Sequence, residues 1–139
     1  MELYSGFVYP AFLAWCSVVG VAGIVTMIWV RAHRALQWAV TGMWIATALQ
    51  LVSVLVLLAT GNDAGIVLTL GYLLASVVLL PLLGIGRLGA PYAAEVDPDP
   101  DRPVLQPDQI ARVDGGAALI IGIAAAVLAW RLAIILGVL

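Results

Sequence analysis

The chain has no lysine, a single cysteine (Cys16) and a single histidine (His33), and its 139 residues hold only six basic and eight acidic side chains. Each scarcity excludes something. One cysteine cannot form an intrachain disulfide and so carries no information on redox compartment. One histidine and one cysteine cannot assemble a zinc or copper ligand set, so neither a metal nor a cofactor is expected. A net charge of −2 argues against nucleic acid as a partner. With 10% charged and 64% hydrophobic residues and a mean hydropathy of +1.13, the composition lies outside the range a soluble core can hide. Glu2 in place of a basic amino-terminal region, followed by a long apolar run, argues against a cleaved signal peptide.

What is present is four long apolar stretches, over about 7–30, 35–60, 64–88 and 115–139, separated by short polar breaks. About 20 residues at 1.5 Å each cross the hydrocarbon of a bilayer, and lipid offers no partner to an unpaired backbone, so stretches of this length are expected to be helices. The predicted fold class is an all-α membrane protein, one domain over 1–139 with four transmembrane helices. Arg31, Arg34, Arg87, Arg102 and Arg112 flank the first and third connections, whereas Arg131 alone lies toward the other face. Those two connections are therefore expected on the cytoplasmic side, and both termini and the Gly61-Asn62-Asp63 turn on the outer side, of a bacterial plasma membrane. Tyr4, Tyr9 and Trp130 near one boundary and Trp29 and Trp38 near the other agree with that placement.

The one long connection, 89–114, is predicted to be a cytoplasmic loop. Its centre, Asp97-Pro98-Asp99-Pro100-Asp101-Arg102-Pro103, alternates carboxylates with prolines, which fix φ and remove donors, so an extended strand is expected. Asp97, Asp99, Asp101 and Arg102 form a candidate docking loop for a basic partner surface; the glycine and terminal glutamate of a helix-loop-helix calcium site are missing. Further on, 107–113 reads as a short interfacial turn of helix, with Asp114 capping the fourth span.

Inside the spans, polar chemistry is sparse. No Asp, Glu, Lys or His falls near a span centre, and no serine has a base at its depth, so no catalytic residue is assigned and an enzyme is not expected. Gln50 and Arg131 are the candidate polar contacts. The amide of Gln50 needs a partner across helices, and Arg131 is expected to reach the outer headgroups or to pair with Asp63, Glu2 or another subunit. His33, between Arg31 and Arg34, reads as an ordinary interface residue. Small residues are the stronger signal. Ala118, Gly122 and Ala126 recur every fourth position on span four, Gly71 and Ala75 on span three, Gly42 and Ala46 on span two, and Gly20 and Gly23 with Cys16 on span one, which invites close helix packing or a partner's helix. Pro81, followed by Gly84 and Gly86, is predicted to kink span three.

The segment Leu70-Gly71-Tyr72-Leu73-Leu74-Ala75-Ser76-Val77-Val78-Leu79-Leu80-Pro81, with a later alanine-rich helix bearing Trp130-Arg131-Leu132, resembles a group of small four-span integral membrane proteins of actinobacteria. The resemblance covers the second half of the chain, and the acidic loop is longer than the group's usual connection. It implies a membrane location but no activity. Small multidrug exporters have a similar span number but need a glutamate within the first span, where this chain has only Glu2. The expected function is a non-catalytic accessory or assembly subunit of a larger respiratory or cell-envelope complex, with lipid and other integral membrane subunits as partners. The alternative is a homo-oligomeric transporter or lipid- or quinone-binding carrier in which Thr47, Gln50, Ser53 and Arg131 line a path.

Overall fold

The computed structural model of the chain describes residues 2–62, 64–86, 101 and 104–139, and among them every regular element is a helix. The first begins as a π-turn over Tyr4–Val8 and continues as α1, Tyr9–Ile28, with Pro10 directly after the wider turn, where its ring removes one backbone donor. An extended Trp29 and a 3-10 turn over Val30–Ala32 then reverse the chain into α2, His33–Ala59. With the last helix, α4 over Pro107–Ile135, these make three helical runs of 25, 30 and 29 residues that are long and apolar enough to cross a membrane.

The third apolar stretch departs from the continuous helix expected over 64–88. Helix α3 covers Ile66–Leu79 only; a 3-10 turn over Leu80–Leu82 follows, and Gly84 takes φ +78°. Pro81 therefore ends the α-helix instead of kinking it. Its ring removes one donor and collides with the carbonyl four residues back, and the glycine behind it lets the chain turn away.

The fourth helix begins at Pro107 and not at 115, so the turn expected over 107–113 is the start of α4 itself. Gln106 stands at its N-terminus, and the Gln106 backbone N–H donates to Gln109 Oε1 at 2.9 Å. Asp114 is consequently an interior residue of α4, not its cap. At the other end Gly137, with φ +68°, lets the Val138 N–H donate back to Ala133 O at 2.9 Å, closing the last carbonyls in a Schellman turn. Gly61 and Asn62 close α2 in the same manner.

Packing is organised around an antiparallel pair, α1 and α4, with α2 resting on α1 and α3 on α4; α2 and α3 approach each other only sparsely. Two apolar clusters fill the interior. One joins Phe12, Cys16 and Val19 with Leu36, Met43 and Ala118; the other, at the end where α1 begins, joins Tyr4 and Val8 with Val54, Leu73 and Leu132. The outward faces are apolar on all four helices, as Val67 at 86% and Trp38 at 71% exposure illustrate.

Candidate functional site

Two polar groupings stand out against this apolar frame. The first gathers three chain segments on one carboxylate. Asp114 lies on α4 with its side chain 9% exposed; its Oδ2 is 2.8 Å from Nε2 of His33, the first residue of α2, and its Oδ1 accepts the backbone N–H of Gly86 at 2.7 Å. With the carboxylate ionised, the imidazole Nε2–H is the donor. A Cβ on residue 86 would sit 2.7 Å from both Asp114 Oδ1 and Ile110 O, so only glycine lets that amide come so near. Hydrogen bonds to a charged group contribute about 1.5–3 kcal/mol each, and breaking one leaves a buried carboxylate underpaired. The grouping ties the α1–α2 connection, the chain after α3 and α4 together at one end of the bundle. Asp114 is therefore not the helix cap, nor His33 the ordinary interface residue, that the sequence pattern suggests. The signal that links them is that the only histidine and this carboxylate each stand where an apolar stretch begins, the second and the fourth, and so at the same end of the bundle.

The second grouping is deeper. Gln50 is buried on the core face of α2 with neither Nε2 nor Oε1 hydrogen-bonded; Thr69 Oγ1 on α3 and Tyr4 Oη before α1 are likewise buried and unpartnered. Each such group costs about 1–3 kcal/mol if left dry. The other carrier-path residues do not join them. Thr47 is buried one turn from Gln50, but Ser53 bonds back to Leu49 O, and Arg131 is exposed with its guanidinium 5.9 Å from the Trp130 ring centre.

The small residues divide by use. A Cβ on Gly115 would lie 2.6 Å from Gly23 O, one on Gly23 would lie 2.5 Å from Gly115 O, and one on Gly122 would lie 3.0 Å from Cys16 O. Close approaches thus recur seven residues apart along both helices, as a shallow left-handed crossing requires. Ala118, fully buried, and Gly122 are spent on α1, and Ala126 is half-buried beside them. Gly42 is covered by the indole of Trp15, whose Nε1–H donates to Ala39 O at 3.0 Å. Gly71 differs, since a Cβ there meets nothing within 4 Å, and with Ala75, Val67, Leu68, Tyr72 and Leu128 it lines an outward groove of about 210 Å³.

Of the candidate docking loop, Asp101 is exposed in a turn. Asp97, Asp99 and Arg102 lie outside the described residues, as do Asp63 and Arg87. Among the described residues no group of three or more His, Cys, Asp or Glu side chains is placed to hold a metal ion. The chain matches no protein-family model, no curated protein and no solved structure.

Proposed function

We propose that the chain crosses a bacterial plasma membrane four times, with both termini outside, and serves as a non-catalytic accessory or assembly subunit of a larger membrane complex. The observation that carries this reading is the contrast between seams. The glycines of α1, α2 and α4 at the seams are covered from within the chain, whereas Gly71 and Ala75 on α3 face an open apolar groove. In lipid no hydrophobic force draws helices together, so a small-residue groove favours association by letting backbones approach and pack. The strongest polar contacts, those of Asp114, hold this chain's own helices together and are not displayed to a substrate. Small respiratory-oxidase subunits offer an analogy of size and span number only.

The test is a gentle-detergent pull-down of the tagged chain from native membranes, with mass spectrometry of what co-purifies. The reading expects one assembly at fixed stoichiometry, lost when Gly71→Leu fills the groove and retained in Val78→Leu, a change at an exposed α3 residue that does not line the groove. A chain that runs alone as a stable monomer, with no reproducible companion, sinks it.

A further inference from the structure

Two exposed arginines stand where the chain reverses from α1 into α2. Arg31 lies in the 3-10 turn over Val30–Ala32 and Arg34 in the first turn of α2. Three residues apart on continuous helical turns, they share one face, so both guanidiniums can reach one ligand. Among the described residues no carboxylate forms an ion pair with either. Asp114, on the neighbouring α4, is already held by His33 and Gly86, and Asp108 stands six residues nearer the start of that helix, roughly 9 Å further along its axis.

Beside the arginines opens an apolar groove of about 430 Å³, within the roughly 300–1,000 Å³ of ligand clefts. Val18, Val21, Ala22 and Val25 of α1 form one wall, and Ala32 and Ala35 the other. Ala32 and Ala35 each directly follow an arginine, so the charged pair and the groove wall are neighbouring rows on the same turns. Two methyl-sized side chains on the α2 side leave the space open, and the three valines facing it are 46%, 59% and 39% exposed. From Ser17, where the lining begins, to Val25 is a rise of roughly 12 Å, close to the ~15 Å of hydrocarbon in one leaflet. Just beyond the deep end the Trp15 indole crosses to α2 and donates to Ala39 O. At the arginine end Trp29 and Trp38 are both exposed, the arrangement of a headgroup boundary.

The charges and the groove together describe the occupant. A soluble anion would engage the arginines and leave the valines bare. A zwitterionic lipid would fill the groove but brings its own cation to the phosphate. A lipid with a net negative headgroup answers both, and arginine is the side chain that holds a phosphate through paired, parallel hydrogen bonds.

We propose that this groove binds one anionic phospholipid, its phosphate held between Arg31 and Arg34 and an acyl chain laid along Val18, Val21 and Val25. The proposal rests on the membrane placement of the chain and not on the accessory-subunit reading, whose groove lies on α3.

The test uses the full chain, released from micelles carrying equal amounts of palmitoyl-oleoyl phosphatidylglycerol and phosphatidylcholine, with bound lipids counted by native mass spectrometry. The expected result is one phosphatidylglycerol retained at a preference of about tenfold or more, the scale two arginines provide at an anionic headgroup. Arg31→Gln/Arg34→Gln should bring that preference near parity. Arg112→Gln, which removes a charge from a helix that does not line the groove, should keep it, and Ala35→Phe, which fills the groove at constant charge, should abolish it. Equal retention of the two lipids by the unaltered protein overturns the proposal, and that arm stands even if a variant fails to fold. A preference that survives Ala35→Phe, or that falls as far in Arg112→Gln as in the double variant, overturns it too, since the arginines would then draw lipid by general attraction alone.

Discussion

Gly23→Ala is the sharpest probe of the α1–α4 pair. The added Cβ would lie 2.5 Å from Gly115 O and 3.0 Å from Leu119 N, and ordinary contact begins at 3.4 Å, so the two backbones must part by roughly 0.9 Å at their crossing. Neither obstacle is a side chain that can swing aside. Overpacking a well-filled site costs about 1–3 kcal/mol, and a backbone obstacle places this one in the upper half. Alanine's intrinsic helix preference over glycine returns up to about 1 kcal/mol, leaving a net loss of about 2 kcal/mol. The reading is made against two companions. Gly122→Ala meets Cys16 O at 3.0 Å and should fall near a loss of 0–1 kcal/mol, while Gly71→Ala meets nothing within 4 Å and should be neutral or slightly stabilising. Reversible unfolding in mixed micelles, titrated with sodium dodecyl sulfate and followed by helical circular dichroism, gives all three on one scale. If Gly71→Ala costs as much as Gly23→Ala, or Gly23→Ala costs nothing, the α1–α4 seam does not hold this protein together.

A double-mutant cycle on His33→Ala and Asp114→Asn should yield a coupling energy of about 1–2 kcal/mol in the same assay, because the 2.8 Å contact is a hydrogen bond between largely covered groups; additive single effects would show that the two do not interact. Gly42→Ala puts a Cβ onto the Trp15 indole and should break its bond to Ala39 O, leaving the indole in apolar surroundings, so tryptophan emission shifts toward the blue relative to the unaltered chain; an unchanged spectrum removes the indole from that position. Cys16, 3% exposed, should react with a membrane-permeant maleimide at least tenfold more slowly in the folded protein than after denaturation, and comparable rates would show that the α1–α4 interface is open.

The helical class and the small-residue faces were legible because they depend on local pattern: length, apolarity and four-residue spacing. The same reading could not tell which small faces the chain uses itself. Ala118 and Gly122 look no different in sequence from Gly71 and Ala75, and only the pairing of α1 with α4 separates the occupied seam from the open groove. The amide of Gln50 calls for a partner on residue type alone, and the structure leaves it, Thr69 and Tyr4 buried without one. A hydroxyl that can bond its own helix gives no sign in sequence of whether it does, and Thr26 and Ser76 do what Thr69 does not. The Asp114–His33 contact spans 81 residues, beyond the reach of any periodic argument.

The short third helix and the carboxylate on the fourth are best understood as one device. Helix α3 has 14 residues and its 3-10 turn adds three, a rise of roughly 25 Å if helical throughout, less than the ~30 Å of hydrocarbon. Had α3 continued as a regular helix past Leu82, the Gly86 N–H would be committed to the carbonyl four residues back. Pro81 prevents that, Gly84 at φ +78° redirects the chain, and the amide of Gly86 is freed to meet Asp114 Oδ1. In a bilayer such a freed amide must be paired, and a carboxylate placed two turns into α4 pairs it while drawing in His33 with its second oxygen. Asp114 is therefore required because α3 is broken, and the break is tolerable because Asp114 is there. Pro81→Ala should expose this dependence: restoring the helix past Leu82 withdraws Gly86 from the carboxylate, so a single change favourable to local helix formation lowers the stability of the whole bundle.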